Sequence, residues 1–315
     1  MDRVIKVTVI GGGAWGTALS KLAAANGHNV TLWSRQSSQT LAEAVSDRDA
    51  IVSAVSMKGV AATAAQMQGL DVKPNAILVS ATKGLDPIAS QTPSQIWQKA
   101  LPHNPIVVLS GPNLSAEIMA GLPAATVVAS TVPEAAQLVQ TVFASRNFRI
   151  YTNSDPIGVE LGGTLKNVIA IAVGVCDGLQ LGANAKAALI TRSLTEIIRV
   201  GLYFGAQPET FWGLSGLGDL LATCNSNLSR NYRVGYGLAQ GKTLDRVLSE
   251  IEGTAEGVNT ANVLIELANR EGITVPVSRY VYRLLHAEIT PQQAVEGLME
   301  RELKPELQAW ISSDE

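Results

Sequence analysis

The stretch VIKVTVIGGGAWGTALSKLAAAN, residues 4–26, decides the reading of the first half of the molecule. Its β-branched opening reads as a buried strand and its alanine-rich end as a helix. At the join, Gly11, Gly13 and Gly16 fit G-x-G-x-x-G. The first glycine of such a loop permits a tight turn, the second lets a pyrophosphate approach the backbone, and the third lets the helix pack closely. The helix N-terminus then offers free N–H groups to phosphate. The spacing therefore predicts a dinucleotide held at Gly11, Gly13 and Gly16.

Outward from this loop, NVTLW, AIVSAV, AILVS, IVVLS and ATVVAS alternate with helical stretches up to about Tyr151. That alternation predicts an α/β domain with a Rossmann-like, doubly wound, mostly parallel sheet. Past YTNSDP, residues 151–156, the remaining segments read as helices and no strand is expected. Turn formers there, with Ser154, Asp155 and Pro156 as helix starters, place the division at 1–153 and 154–315. Two domains with a ligand cleft between them are the simplest architecture.

The 315 residues are 46% apolar, ample for two cores. With 24 basic against 27 acidic residues and no block of like charge, nothing points to nucleic acid. Cys176 and Cys224 lack C-x-x-C spacing, which suits a reducing compartment. The N-terminal residues lack a signal-peptide pattern and no run of eighteen apolar residues occurs, so a cytoplasmic protein without membrane insertion is expected. His28, His103 and His286 have no second ligand at metal spacing, and no metal is expected.

Five further segments carry chemistry. After the second strand, LWSRQ presents Ser34 and Arg35 where an NAD-specific site places an acid; Arg35 suits a 2′-phosphate or an adenine face and leans the cofactor toward NADP over NAD. SATKGL, residues 80–85, sets Lys83 at a strand end, where it meets cofactor or substrate anion, and LSGPN, residues 109–113, adds Gly111 and Asn113 in a similar loop. In GLSGLGDLLATCNSNLSRNYRVG, residues 213–235, Asp219 and Thr223 share a helical face if a helix begins near Gly218. Ser229, Arg230 and Asn231 follow, and a guanidinium with hydroxyl and amide neighbours suits phosphate. GTLKNVIA, residues 163–170, sets Lys166 in an apolar run, where an ammonium needs a surface, a partner or a cleft.

Together GGGAWGTAL, SATKGL, SGPNLSAE, GTLKNVIAIAVG, GLGDLLATC, SRNYRVG and AEGV resemble the NAD(P)-dependent glycerol-3-phosphate dehydrogenase family in order and spacing. GITVPVSRYVYRLL and LMERELKPE extend the resemblance to residue 306. It implies hydride transfer between sn-glycerol 3-phosphate and dihydroxyacetone phosphate, a role in glycerophospholipid synthesis, and a homodimer. It also implies that Lys166 is the proton acceptor, with Lys83, Gly111, Asp219, Ser229, Arg230 and Asn231 around a small phosphorylated substrate. Ala14, Trp15, Lys83, Ser115, Arg230 and Glu256 match its cofactor contacts.

An apolar helix with Lys83 and Arg230 nearby would hold Lys166 toward the neutral amine, and Asp219 and Asn167 are candidates to orient it. The chain departs from the family in lacking a longer insert, with an N-x-x-Y-L-P-G-like segment and a short strand, after its second strand. It also carries Asn113 where bacterial members often have Ser or Thr, and Ser115 for a common Ala. The alternatives are a β-hydroxyacid dehydrogenase or ketopantoate reductase, and a nucleotide-binding protein without catalysis.

Overall fold

The computed structural model describes residues 3–303, 305 and 306. It comprises two compact units, Met1–Glu160 and Leu161–Glu315. The first holds one seven-stranded sheet: β1 (Lys6–Ile10), β2 (Asn29–Trp33), β3 (Ala50–Ser53), β4 (Ile77–Ser80), β5 (Ile106–Ser110), β6 (Ala124–Ala129) and β7 (Phe148–Asn153). The order is β2-β1-β3-β4-β5-β6-β7, and every neighbouring pair is parallel except β5 with β6. This is the doubly wound, mostly parallel sheet that the alternation predicts.

Side chains alternate across the strands and feed two cores. Val7, Val9, Val52 and Val79 pack with Leu19, Ala23, Val139 and Phe143, from the helices Ala14–Ala25 and Pro133–Phe143. Ile10, Ile51 and Leu78 pack with Val60, Met67 and Trp97, from the helices Met57–Met67 and Pro93–Ala100. Helices therefore cover both faces, as mostly parallel strands with two apolar faces require.

One feature differs from the sequence reading, and another follows it. Residues 151–153, expected as turn formers, finish β7. That strand buries Phe148 and Ile150 while Arg149 and Tyr151 face out, with the guanidinium 5.1 Å from the ring centre. So short an alternation carries little periodic signal. As the shortened segment after the second strand implies, β2 has a neighbour on one side only. No strand of an insert lies beyond it among the described residues, and the short helix Leu41–Val45, closed by a Thr40–Glu43 capping box, follows instead.

Asp155 starts the long helix Pro156–Gly178 as expected, its Oδ1 accepting from the Gly158 N–H at 2.9 Å. By length and composition this helix is apolar enough to cross a membrane, yet 94% of its most apolar window is buried in the protein. It serves as the core of the second unit, where Val168, Ile171 and Val175 pack against Val234 and Leu238 of the helix Arg230–Ala239. Their crossing is close because of a glycine: a Cβ at Gly235 would fall 1.8 Å from the Ile171 carbonyl oxygen. All regular elements described beyond residue 160 are helical.

Candidate active site

β1 ends at Ile10 and the chain turns through Gly11, whose φ of +118° only glycine adopts readily. A Cβ at Gly11 would lie 2.7 Å from the Ala54 carbonyl oxygen, and one at Gly16 would lie 1.9 Å from the Gly11 carbonyl oxygen. Gly16 thus packs on the loop itself as well as beside Ala54. Gly13 differs, because nothing lies within 4 Å of where its Cβ would be.

Gly12, Gly13 and Ala14 are exposed, and the 12-residue helix Ala14–Ala25 has no side-chain cap. The turn lies where the sheet order diverges from β1 toward β2 and β3, the switch point at which such sheets bind ligands. An uncapped helix start with bare backbone at Gly13 fits a pyrophosphate. Trp15, next in the loop, is half-buried against the core.

At the end of β2, Ser34 abuts the loop, its Cβ 3.3 Å from where a Gly12 Cβ would lie. Arg35 is exposed in the turn that follows. No carboxylate occupies this strand end, which suits a cofactor carrying a 2′-phosphate.

Two more strand ends meet in the first unit. Lys83, three residues past β4, donates from Nζ to the Gly111 carbonyl oxygen at 3.0 Å, uniting two of the expected residues. Thr126 of β6 donates its hydroxyl proton to the Ser110 carbonyl oxygen at 2.9 Å and accepts from Asn113 Nδ2 at 3.1 Å. Because the Thr126 proton is spent, the amide must turn its nitrogen inward. Asn113 Oδ1 is left buried without a hydrogen-bond partner among the described residues, a fixed acceptor beside the Lys83 contact. Ser115, half-buried, opens the short helix Ser115–Met119. Thr126 escaped the sequence reading because it sits within an apolar strand, with no motif around it.

In the second unit, Lys166 is only 6% exposed, and its Nζ lies 2.9 Å from Asp219 Oδ1. It also donates to the Thr223 hydroxyl, which lies 3.3 Å from the same carboxylate oxygen. The four-residue spacing of Asp219 and Thr223 does place both on one face, of the helix Asp219–Cys224. A π-turn, Leu214–Gly218, leads into that helix, with the Gly218 N–H bonded to the Gly213 carbonyl. It lies against the lysine's helix at Gly162, where a Cβ would meet the Ser215 carbonyl oxygen at 2.8 Å.

The pair as a whole is uncharged, which lowers the cost of burying each member. Its surroundings are dry: burial pushes the neighbouring Cys224 thiol up to about 12. The geometry places the Asp219 carboxylate against the amine, in the position of an orienting group. The arrangement holds the amine in one orientation with its charge balanced.

Of the expected phosphate cluster, Ser229 caps the helix Arg230–Ala239, its Oγ accepting from the Tyr232 N–H at 3.2 Å. Arg230 is exposed, with Nη1 beside Gly253. Asn231 is buried and bridges helices: its Oδ1 accepts from the Gly257 N–H at 2.9 Å and its Nδ2 donates to Asn167 Oδ1 at 2.9 Å. Asn167, expected to orient the amine, spends its side chain on Asn231 and the Gly163 carbonyl. Glu256, half-buried, opens the helix Glu256–Glu271 next to Gly257. Among the described residues, no three His, Cys, Asp or Glu side chains group to hold a metal ion.

Residues 6–40 and 36–136 match the family model described as NAD-dependent glycerol-3-phosphate dehydrogenase N-terminus, and residues 155–296 match the corresponding C-terminus. A glycerol-3-phosphate dehydrogenase [NAD(P)+] of Synechocystis sp. is 64% identical over 98% of this chain and 97% of its own. The crystal structure of a glycerol-3-phosphate dehydrogenase from Coxiella burnetii superposes with a TM-score of 0.90 at 34% identity, covering 95% of this chain and 99% of that one. A ketopantoate reductase from Ralstonia eutropha reaches 0.58 at 14% identity, over 92% of this chain and all of its own, a likeness of fold alone. With both halves of the chain matched, it belongs to the NAD(P)-dependent glycerol-3-phosphate dehydrogenase family.

Proposed function

We propose that this chain reversibly reduces dihydroxyacetone phosphate to sn-glycerol 3-phosphate with NADH or NADPH. The observation that carries the reading is the buried Lys166–Asp219–Thr223 cluster, a proton source held in a dry setting. When bound, the reduced nicotinamide supplies the hydride. Lys166 then gives its proton to the carbonyl oxygen as the carbon is reduced, and takes one from the hydroxyl in the reverse direction. Asp219 and Thr223 aim the amine. Lys83 and the Asn113 acceptor hold the reacting end of the substrate, and Gly111 keeps Lys83 in place.

The exposed Arg230 guanidinium, with Ser229 and the remaining N–H of Asn231, takes the substrate phosphate. The glycine loop, with Ala14 and Trp15, carries the dinucleotide on residues 1–153, assisted by Ser115. Residues 154–315 receive the substrate, with Arg230 and Glu256 also reaching the cofactor. Arg35 favours NADPH over NADH. The product feeds glycerophospholipid synthesis, and the enzyme acts as a cytoplasmic homodimer.

The deciding experiment follows NAD(P)H absorbance with purified protein and dihydroxyacetone phosphate, beside a branched keto acid as control. Consumption with the triose phosphate alone is expected. Turnover of the keto acid instead, or of neither compound, rejects the proposal.

A further inference from the structure

The loop that bears Lys83 runs from the end of β4 at Ser80 to the start of the helix Pro93–Ala100. Both of its ends bond to one buried carboxylate. Glu160, 1% exposed, accepts from the Ser80 hydroxyl at 3.1 Å and from the Ser94 N–H at 2.9 Å on Oε1, and from the Ser94 hydroxyl at 2.5 Å on Oε2. Within the loop, the Asp86 N–H bonds the Gln91 carbonyl at 2.8 Å, and Asp86 Oδ1 accepts from the Ile88 and Ala89 N–H groups at 3.0 and 2.7 Å. The Thr82 hydroxyl also donates to the Val55 carbonyl at 2.8 Å. The segment is a compact loop with adjoining ends, the kind that carries function on a rigid scaffold.

A buried carboxylate is an expensive choice for a structural peg, since two apolar side chains would close a loop with less desolvation. What an acceptor with two oxygens adds is direction. It fixes Ser80 and Ser94 at once, and with them the point from which Lys83 reaches the Gly111 carbonyl.

We propose that Glu160 is a positioning residue for Lys83, clasping both ends of its loop so that the ammonium meets the substrate in one geometry. This rests on the function proposed above. Glu160 bonds Ser80 and Ser94, the ends of the loop, and acts through it.

The test is a double-mutant cycle on kcat/KM for dihydroxyacetone phosphate, using Glu160→Ala and Lys83→Ala separately and together. Displacing a contact group by a fraction of its reach commonly costs about 10-fold to 100-fold, and that loss is expected for Glu160→Ala alone. In the Lys83→Ala background the same change should cost less than about twofold, since there is no amine left to misplace. Glu160→Gln, which keeps two hydrogen-bonding atoms, should restore most of the activity.

If Glu160→Ala does not fold, Ser80→Ala removes one arm of the clasp and should show the same dependence on Lys83 with a smaller loss. Equal losses with and without Lys83 would overturn the role, leaving Glu160 as a structural residue. Wild-type turnover is measured first: its absence rejects the parent function, whereas additive losses with turnover intact reject only the clasp.

Discussion

Replacing Lys166 by methionine removes the proposed proton donor and strands Asp219 without its counter-ion. Turnover should fall on the order of 10²-fold or more, and stability by about 3 kcal/mol or more, because a buried charge loses its counter-ion. The two effects separate in Lys166→Met with Asp219→Asn, which should regain most of the stability and none of the turnover. Urea melts beside steady-state rates check both, and a single variant with unchanged kcat would remove Lys166 from the chemistry. At the other end of the cofactor, Arg35→Ala should raise KM for NADPH more than for NADH; equal losses would refute a 2′-phosphate contact. At this scale the sequence was readable wherever spacing forces geometry. A spacing of four puts Asp219 and Thr223 on one helical face, the face that meets Lys166. It was unreadable wherever a polar side chain could serve protein or ligand. Asn231 and Ser229, proposed above as phosphate ligands, also serve the protein itself, since one ties three helices and the other caps its own.

Elements meet here through small residues. The helices Pro156–Gly178 and Arg230–Ala239 cross at Gly235, where added bulk strikes the Ile171 backbone. Gly235→Ala is expected to cost about 3 kcal/mol through overpacking, lowering Tm by about 5–10 °C. Differential scanning calorimetry reads the shift, and an unchanged Tm would mean that the crossing has slack. Most strands and the major helices could be read from the sequence, because their apolar periods are long enough to repeat. β7 and the π-turn Leu214–Gly218 could not. The first is too short and too polar on its outer face. The second depends on an i to i−5 hydrogen bond that leaves no compositional mark.

Among the described residues, each unit contains one buried glutamate whose acidity burial has weakened. Desolvation raises the Glu160 carboxyl in the first unit and the Glu196 carboxyl in the second above the ordinary value of 4.5, hydrogen bonds offsetting part of the rise. Glu196 caps the helix Pro276–Leu285 through the Val277 and Ser278 N–H groups, at 2.8 and 2.9 Å. For both, the folded state binds its proton more tightly than the unfolded state. Their contribution is complete below about 4.5 and is lost as pH rises through the raised folded values.

Asp47 works in the opposite direction. Hydrogen bonds from Lys6 and Lys73 lower it from 3.8 to about 2, so its contribution holds above 3.8 and fades as pH falls toward 2. Maximum stability should therefore lie on the acid side of neutrality. The urea midpoint should decline as pH rises above about 4.5, and Glu160→Gln with Glu196→Gln should flatten the decline. A wild-type midpoint constant over that range would contradict the account.

The three glycines of the dinucleotide loop are under different obligations. Gly11 and Gly16 are dictated by neighbouring backbone, whatever the protein binds, whereas Gly13 is unconstrained from within. A lineage that abandoned its nucleotide would retain the outer two and drift at the middle one. In an unfamiliar genome, then, the centre of the fingerprint testifies to a ligand, and its flanks testify only to a fold.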